Sequence, residues 1–372
     1  MRAARADVDL DAIAHNVAAL KAATAPALLC AVVKADGYGH GAIAVAQEAV
    51  KAGADWLAVA LVEEGAVLRK AGIMVPILLL SEPRADDFGA AIHWDLRLAV
   101  YTRKAIEMAA DAAAEEGRVV KLHLKVNTGM NRVGASPSDI VSLASAINHQ
   151  PGVELEAVWT HLATADEPGA EFTEVQLDRY DEVLAALVGA GVHVPMRHAA
   201  NSAGAIDHER SRHDMVRCGI AVYGIPPSPD MTGVARELGL RPALSLRAEV
   251  SFVKRVPAGE RISYGLRHTF PADAVVATVP IGYADGVPRR LAIQGAEVLI
   301  GGKRRRIVGV VTMDQLMVDC GDDHGVAVGD EVVLLGRQDE QEITADEWAG
   351  YLGTIAYEIV CGIGPRVPRH YG

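Results

Sequence analysis

The segment "CAVVKADGYGHG" (residues 30–41) passes from an apolar run into Lys34 and then directly into a polar, glycine-rich stretch. The apolar run predicts a buried β-strand, and the glycines supply the backbone freedom that a tight turn requires. A helical pattern follows in "AIAVAQEAVKAG" (42–53). Strand, turn and helix together make one β-then-α unit.

The same unit recurs along the first two thirds of the chain. Helical spacing is clear in "TRKAIEMAADAAAEEG" (102–117) and "FTEVQLDRYDEVLAALVGAG" (172–191). The candidate strands are "LLCAVVK" (28–34), "WLAVALV" (56–62), "PILLLS" (76–81), "LRLAVY" (96–101), "VKLHLKV" (120–126), "LEAVWTHL" (155–162), "VPMRHAAN" (194–201) and "MVRCGIAVYG" (215–224). This number of units predicts an α/β fold, an eight-stranded parallel (β/α)8 TIM-like barrel over residues 1–238. An open doubly wound sheet is the alternative.

The pattern changes near Pro242. Alternating or β-branched runs separated by Gly, Pro and Asp then predominate, with one helical segment in "TADEWAGYLG" (344–353). We therefore predict a mostly β C-terminal domain over residues 239–372.

Bulk properties limit the function. The chain has 372 residues, half of them apolar, and a net charge of -12, which disfavours nucleic acid or an anionic membrane as the main partner. Apolar runs such as "VPILLL" (75–80) are too short to cross a bilayer, and the N-terminal sequence lacks the apolar core of a signal peptide, so we expect a cytoplasmic protein. The four cysteines are too widely spaced to suggest a disulfide framework or a metal site.

Polar residues cluster at or just after the predicted carboxyl ends of five strands, the end at which barrels build their active sites. Each one alone has an ordinary structural reading, such as a solvated lysine or a hydrogen-bonded core histidine. Their convergence at one rim predicts a functional site. They are Lys34, Lys125, His161, Asn201, Ser202, Arg217 and Gly219.

A lysine at a barrel mouth can form a Schiff base when its pKa is lowered. Ser202 and the glycine-rich segment "RCGIAVYG" (217–224) offer groups that could hold a phosphate, and the combination suggests pyridoxal 5'-phosphate. Nucleotide binding is the weaker reading, because the glycines after Lys34 do not have the Gly-x-Gly-x-x-Gly spacing.

With these residues in place, the sequence resembles the alanine racemases, pyridoxal-phosphate enzymes of bacterial cell-wall metabolism. The resemblance begins in the opening segment and continues in family order through most of the chain. The further matching blocks are "HLKVNTGMNRVG" (123–134), "WTHLATADE" (159–167), "HAANSAG" (198–204), "MVRCGIAVYG" (215–224), "ISYG" (262–265), "IGYADG" (281–286), "TMDQLMVD" (312–319) and "YEIVCGIGPRVPR" (357–369).

The resemblance implies that L- and D-alanine are interconverted by two bases on opposite faces of Cα, which would supply D-alanine for peptidoglycan. Lys34 would hold the cofactor as a Schiff base and act as one base. Tyr264 would be the other, supplied by the second subunit of a homodimer. His161 and Arg217 would assist Tyr264, and Arg217 would also face the pyridine nitrogen.

Other roles are implied by matched position. The cofactor-binding set would be completed by Tyr38, Asn201, Ser202, Gly219, Ile220 and Tyr357. The substrate carboxylate would be received by Arg132 and the backbone of Met313, with Tyr283 and Tyr357 narrowing the entrance. Lys125 matches a lysine that is carbamylated in some members.

Two positions depart from the family pattern: Asn127 stands where many members have aspartate, and Thr312 where cysteine or another small residue is common. Three alternatives remain open at this point. They are a broader-specificity amino-acid racemase, a decarboxylase on the same architecture, and a non-enzymatic cofactor-binding protein.

Overall fold

The computed structural model describes residues 4–372, which divide into two compact units. The barrel unit consists of Ala12–Gly37 and Ala42–Arg241. The β unit consists of the described N-terminal residues through Asp11, Tyr38–Gly41 and Pro242–Gly372.

Strands are numbered along the described part of the chain. They are β1 (Arg5–Val8), β2 (Leu28–Val32), β3 (Trp56–Val59), β4 (Ile77–Leu79), β5 (Leu96–Val100), β6 (Val120–Lys125), β7 (Val153–Trp159), β8 (Met196–His198), β9 (Met215–Cys218), β10 (Leu244–Glu249), β11 (Phe252–Val256), β12 (Arg261–Ile262), β13 (His268–Thr269), β14 (Ala274–Val279), β15 (Glu297–Ile300), β16 (Lys303–Val308), β17 (Leu316–Asp319), β18 (Glu331–Gln338), β19 (Gln341–Ile343) and β20 (Arg369–Tyr371).

Helices are numbered in the same way. They are α1 (Leu10–Thr24), α2 (Lys34–Tyr38), α3 (Ala42–Lys51), α4 (Val62–Lys70), α5 (Phe88–His93), α6 (Arg103–Glu116), α7 (Ile140–His149), α8 (Glu171–Gly189), α9 (Ser202–Asp207), α10 (Thr232–Glu237), α11 (Ala345–Leu352) and α12 (Ala356–Cys361). Short 3-10 turns that matter below are Ile220–Tyr223, Tyr264–Leu266 and Tyr283–Asp285.

Eight parallel strands form the sheet of the barrel unit, in the order β8-β7-β6-β5-β4-β3-β2-β9. Backbone bonds from Arg217 N to Ala200 O (3.1 Å) and from Asp214 N to Arg197 O (3.0 Å) link the regions of β8 and β9, so the barrel is nearly closed. Apolar residues predominate in the strands because both faces of the sheet are covered, and every residue of β3 and β4 is buried. This confirms the predicted (β/α)8 barrel followed by a mostly β domain.

The β unit contains a twisted sheet in the order β11-β14-β17-β16-β15-β18-β10-β1-β20, with β19 paired to β18. β10 shows why these segments form strands, since Leu244, Leu246 and Ala248 are buried while the residues between them are less so. A separate hairpin pairs β12 with β13.

The N-terminal segment differs from expectation. Residues 4–11 were expected in the barrel domain, but β1 pairs antiparallel with β10 and parallel with β20 in the β unit. Ala6 and Val8 are buried on one face, and on the other Asp7 lies 3.3 Å from Arg247. The expected domain boundary at residue 238 or 239 falls close to Pro242, where the main segment of the β unit begins.

None of the helices within residues 4–372 combines the length and the apolarity that crossing a membrane would require.

Candidate active site

Lys34 lies two residues beyond the end of β2, at the first position of α2. This single turn is left-handed: Ala35, Asp36 and Gly37 have φ values of 52°, 51° and 60°. Such a conformation costs about 1–2 kcal/mol per residue other than glycine. Side-chain caps offset part of this cost, because Glu64 Oε1 accepts a hydrogen bond from Ala35 N (2.7 Å) and Asp36 Oδ1 accepts one from Ala42 N (2.8 Å).

Cations gather around Lys125 in the barrel unit. Lys125 ends β6 and is buried, with its Nζ 4.2 Å from the centre of the Trp159 ring. Burial, and then the positive charges of Arg217, Arg132 and Lys34, lower the pKa of Lys125 to about 7. Burial and the same group of cations hold the pKa of His161 well below its ordinary value, so this imidazole is neutral at neutral pH.

Arg217, on β9, is buried inside the barrel. Like Lys125, it makes a cation–π contact with Trp159, and its Cζ lies 4.7 Å from the ring centre. Its Nη2 donates to the carbonyl oxygens of Thr160 (2.9 Å) and Ala199 (3.0 Å) and lies 3.3 Å from His161 Nδ1. Burial lowers the pKa of Arg217 to about 10, which leaves the guanidinium protonated at neutral pH.

A chain of side-chain hydrogen bonds runs from Arg217 through the barrel interior to Glu156. Arg217 Nη1 lies 2.7 Å from His198 Nδ1, His198 Nε2 lies 3.0 Å from His123 Nδ1, and His123 Nε2 lies 3.0 Å from Glu156 Oε2. Since arginine can only donate, His198 Nδ1 must accept, and both histidines then carry their proton on Nε2. Burial lowers the pKa of both imidazoles, which agrees with these neutral forms.

The turn after β9 is tied to Ser202. Ser202 Oγ accepts hydrogen bonds from Gly219 N (2.8 Å) and Ala221 N (3.4 Å), and Ile220 begins a 3-10 turn. Asn201 caps α9, with Oδ1 accepting from Gly204 N (2.9 Å). The oxygen of Ser202 is thus engaged as an acceptor, which leaves its hydroxyl proton available to a ligand.

Arg132 lies in the loop between β6 and α7. That loop is closed by hydrogen bonds from Asn127 N to Ala135 O and from Ala135 N to Lys125 O, both 2.9 Å. The side chain of Arg132 is exposed and makes no hydrogen bond or ion pair with any residue of the described range 4–372. An exposed guanidinium without a protein partner can bind a planar anion such as a carboxylate.

The remaining candidates belong to the β unit. Tyr264 lies on a turn between β12 and β13, and 72% of its surface is exposed. Ser263 before it has a φ of 66°, and its Oγ donates to Val310 O (3.1 Å). The turn thus presents Tyr264 outward on a strained, anchored backbone.

Two further pairs are formed within the β unit. The rings of Tyr38 and Tyr357 have centres 6.1 Å apart. Tyr283 and Met313 lie on adjacent loops, joined by hydrogen bonds from Tyr283 N to Thr312 O (2.9 Å) and from Ala284 N to Met313 O (3.0 Å). The predicted site residues therefore fall into two sets, one in each unit.

The sequence reading missed the side chains behind these residues. Trp159, His123 and His198 stood only within matched blocks, with no role given to them, and Glu156 lay outside those blocks. An available signal was the two-residue period of β6, which places His123 on the same face as the noted Lys125. Trp159 likewise precedes His161 by two residues, so the same two-residue period places both on one face of the predicted strand.

The barrel mouth fits pyridoxal phosphate by the chemistry of its donors. Lys34 supplies an amine, Ser202 a hydroxyl next to a glycine turn, and Arg217 a guanidinium, and the charges that act on Lys125 are all positive. A phosphorylated, anionic cofactor balances such a cluster. The fold and this set of residues define a barrel enzyme that handles an anionic ligand at the carboxyl ends of its strands.

Family models, curated relatives and solved structures all point to the same family. The family models for the alanine racemase N-terminal and C-terminal domains match residues 8–227 and 243–371. The alanine racemase of Symbiobacterium thermophilum is 51% identical over 100% of this chain and 98% of its own. The structure of the enzyme from D-cycloserine-producing Streptomyces lavendulae has 42% identity and a TM-score of 0.95, covering 100% of this chain and 97% of that one. One from Bacillus anthracis, with bound L-Ala-P, has 39% identity and a TM-score of 0.93, covering 100% and 95%.

The chain belongs to the alanine racemase family, whose members are pyridoxal-phosphate-dependent isomerases. This confirms the resemblance and the class of enzyme predicted from the sequence. The C-terminal model matches residues 243–371, nearly the whole of the β unit's main segment, Pro242–Gly372.

We predict that His198→Phe destabilises the protein. The change leaves a donor of Arg217 and an acceptor of His123 buried without a partner, at about 1–3 kcal/mol each. Urea unfolding should give a free energy of unfolding lower by about 2–6 kcal/mol. His193→Phe, at an exposed position, is the control. Equal unfolding free energies for His198→Phe and wild type would show that the hydrogen-bond chain contributes nothing.

Lys125 should make stability depend on pH. Its folded pKa of about 7 lies below the ordinary 10.5, so the unfolded chain binds more protons between these values and wild-type stability rises with pH across that window. Lys125→Met removes this contribution. The unfolding free energy of wild type minus that of Lys125→Met should therefore increase from pH 7 to pH 10, measured in carbon-dioxide-free buffer. Lys51→Met, on the exposed surface of α3, is the control, and a difference that stays constant with pH contradicts the assignment.

Proposed function

We propose that this enzyme interconverts L- and D-alanine, using pyridoxal phosphate held at the barrel mouth. The observation that carries the proposal is the cluster of Lys34, Lys125, Arg132 and Arg217, in which burial and positive neighbours depress the pKa of Lys125. The cofactor would bring a phosphate and a phenolate and the substrate a carboxylate, so three anionic groups would meet these cations.

The cofactor would be bound covalently by Lys34. Its phosphate would be held by the hydroxyls of Tyr38, Ser202 and Tyr357 and by the backbone at Gly219 and Ile220, with Asn201 bracing the neighbouring helix start. Arg217 would face the ring nitrogen, where its guanidinium donates a hydrogen bond without transferring a proton. When bound, the cofactor withdraws electrons from Cα of the amino acid and so makes its hydrogen acidic.

Inversion then requires two bases on opposite faces of Cα. Lys34 Nζ would exchange the proton on one face and the Oη of Tyr264 of the partner subunit the proton on the other. The large exposed fraction of Tyr264 within one chain, 72%, supports a site completed by a second copy, and hence a homodimer.

His161 is suited to assist that tyrosine. Because Arg217 donates to its Nδ1, neutral His161 carries its proton on Nε2 and can donate it to a phenolate. Arg132 and the backbone of Met313 would bind the substrate carboxylate, and Tyr283 with Tyr357 would limit the room for the side chain.

Lys125 is a candidate for carbamylation. With a pKa of about 7, a substantial fraction of its amine is neutral at neutral pH, and only the neutral amine attacks carbon dioxide. The reaction forms a nitrogen–carbon bond and releases one proton, and the new carboxylate would orient Arg132. The proposal includes a cytoplasmic role in supplying D-alanine for peptidoglycan.

The proposal is tested by incubating the enzyme with L-alanine in deuterated water while optical rotation and deuterium at Cα are followed together. Rotation should vanish as deuterium enters. Lys34→Ala should abolish both signals. Tyr264→Phe should lower the rate by at least about 100-fold, the usual contribution of a general acid or base.

Tyr351→Phe, a partly buried tyrosine of the same unit, is the matched control and should retain activity. Absence of both signals in the wild-type enzyme supplied with pyridoxal phosphate would refute the proposed function. Release of carbon dioxide without deuterium exchange at Cα of alanine would instead indicate the decarboxylase alternative.

A further inference from the structure

The loop that carries Tyr283 packs closely against the backbone of two other segments of the β unit. A Cβ atom on Gly282 would lie 2.3 Å from Thr312 O and 2.4 Å from Met313 O. A Cβ atom on Gly286, whose φ is 107°, would lie 2.3 Å from Gly362 O. The loop therefore depends on two glycines for its close approach to the segments around residues 312 and 362.

Asp285 fixes the interior of this loop. Its side chain is fully buried, and its Oδ2 accepts a hydrogen bond from Gly282 N (2.9 Å). Its backbone oxygen accepts another from Gly364 N (2.9 Å). A buried carboxylate needs a donor such as Gly282 N, because burying the charge without hydrogen bonds is strongly unfavourable.

Arg366 joins this loop to the loop that carries Met313. Arg366 Nε lies 3.3 Å from Asp285 Oδ1, and Arg366 Nη2 donates to Asp314 Oδ1 at 2.7 Å. One guanidinium thus pairs with a buried carboxylate on one loop and a half-exposed carboxylate on the other. The planar fork of arginine can serve two such partners at once, whereas a lysine ammonium is a single point of charge.

We propose that Arg366 is a positioning residue that holds Tyr283 and Met313 in one arrangement and thereby sets the preference for the methyl group of alanine over larger side chains. The inference rests on the proposed function, in which Tyr283 narrows the entrance and Met313 receives the carboxylate. Arg366 acts through Asp285 and Asp314, so its removal affects substrate selection more than proton transfer.

The test compares Arg366→Met and Arg366→Lys with wild type, using the holoenzyme. Arg337→Met is the matched control, because Arg337 also pairs with a carboxylate, Glu342 at 3.0 Å, but at the exposed surface of the same unit. The readouts are kcat and KM for L-alanine and for L-2-aminobutyrate, and amide hydrogen exchange of segments 282–287 and 312–316 measured by mass spectrometry.

Arg366→Met should raise KM for alanine about 10-fold while kcat changes less than about threefold, as expected when a contact that positions a binding element is lost. Preference for alanine over L-2-aminobutyrate, as the ratio of kcat/KM values, should fall by at least about fivefold. Amide exchange should accelerate in both segments but not in 120–126. Arg366→Lys should lie between wild type and Arg366→Met, and Arg337→Met should match wild type.

Unchanged selectivity and exchange in Arg366→Met, with an active wild-type enzyme, would overturn the inference. If wild type does not racemise alanine, the proposed function fails, and the exchange measurement still tests by itself whether Arg366 holds the two loops in place. Should Arg366→Met not fold, Asp314→Asn removes only the half-exposed partner and should shift KM, selectivity and exchange in the same direction; no shift in any of them would contradict the proposal.

Discussion

Burial of the Arg217 guanidinium inside the barrel is the constraint on which the surrounding structure depends. Burying a cation is unfavourable unless it is hydrogen-bonded, and here two backbone carbonyls, two imidazoles and the face of Trp159 contact the guanidinium. Within residues 4–372, no carboxylate forms an ion pair with the guanidinium, and the negative charge of Glu156 lies two histidines away. Burial, and then the positive charge of Arg217, lower the pKa of Lys125 and of His161.

Backbone strain occurs at the two segments proposed to carry the catalytic bases. Ala35 and Asp36 follow Lys34 in a left-handed turn, and Ser263 precedes Tyr264 with a φ of 66°. Each strained segment is held by specific hydrogen bonds. Glu64 and Asp36 accept them from backbone N–H groups in one case, and Ser263 Oγ donates one to Val310 O in the other. Such strain persists only where the surroundings compensate for it, which is typical of sites that must hold a side chain in one place.

Asn127 and Thr312, the two positions expected to depart from the family pattern, each make local hydrogen bonds that suit the residue present. Asn127 Oδ1 accepts hydrogen bonds from Gly129 N (3.1 Å) and Asn131 N (3.0 Å), while its Nδ2 donates to Asn131 Oδ1 (2.8 Å). An aspartate could accept the first two bonds but could not donate the third, so Asn127 and Asn131 form a matched pair in the loop that carries Arg132. Thr312 Oγ1 donates to Gln315 O (2.8 Å) and accepts from Gln315 N (3.2 Å), which closes the turn next to Met313.

The sequence by itself determined the barrel, the mostly β domain and the residues at the strand ends, because apolar runs, helical spacing and ordered motifs are local properties of the chain. It did not indicate that β1 joins the β unit, since that pairing depends on partners more than 230 residues away in β10 and β20. Nor did it indicate the path from Arg217 to Glu156, or the pairing of Arg366 with Asp285 and Asp314. Only the tertiary structure decided these features, because hydrogen bonds and buried charges are fixed by distances between residues far apart in sequence.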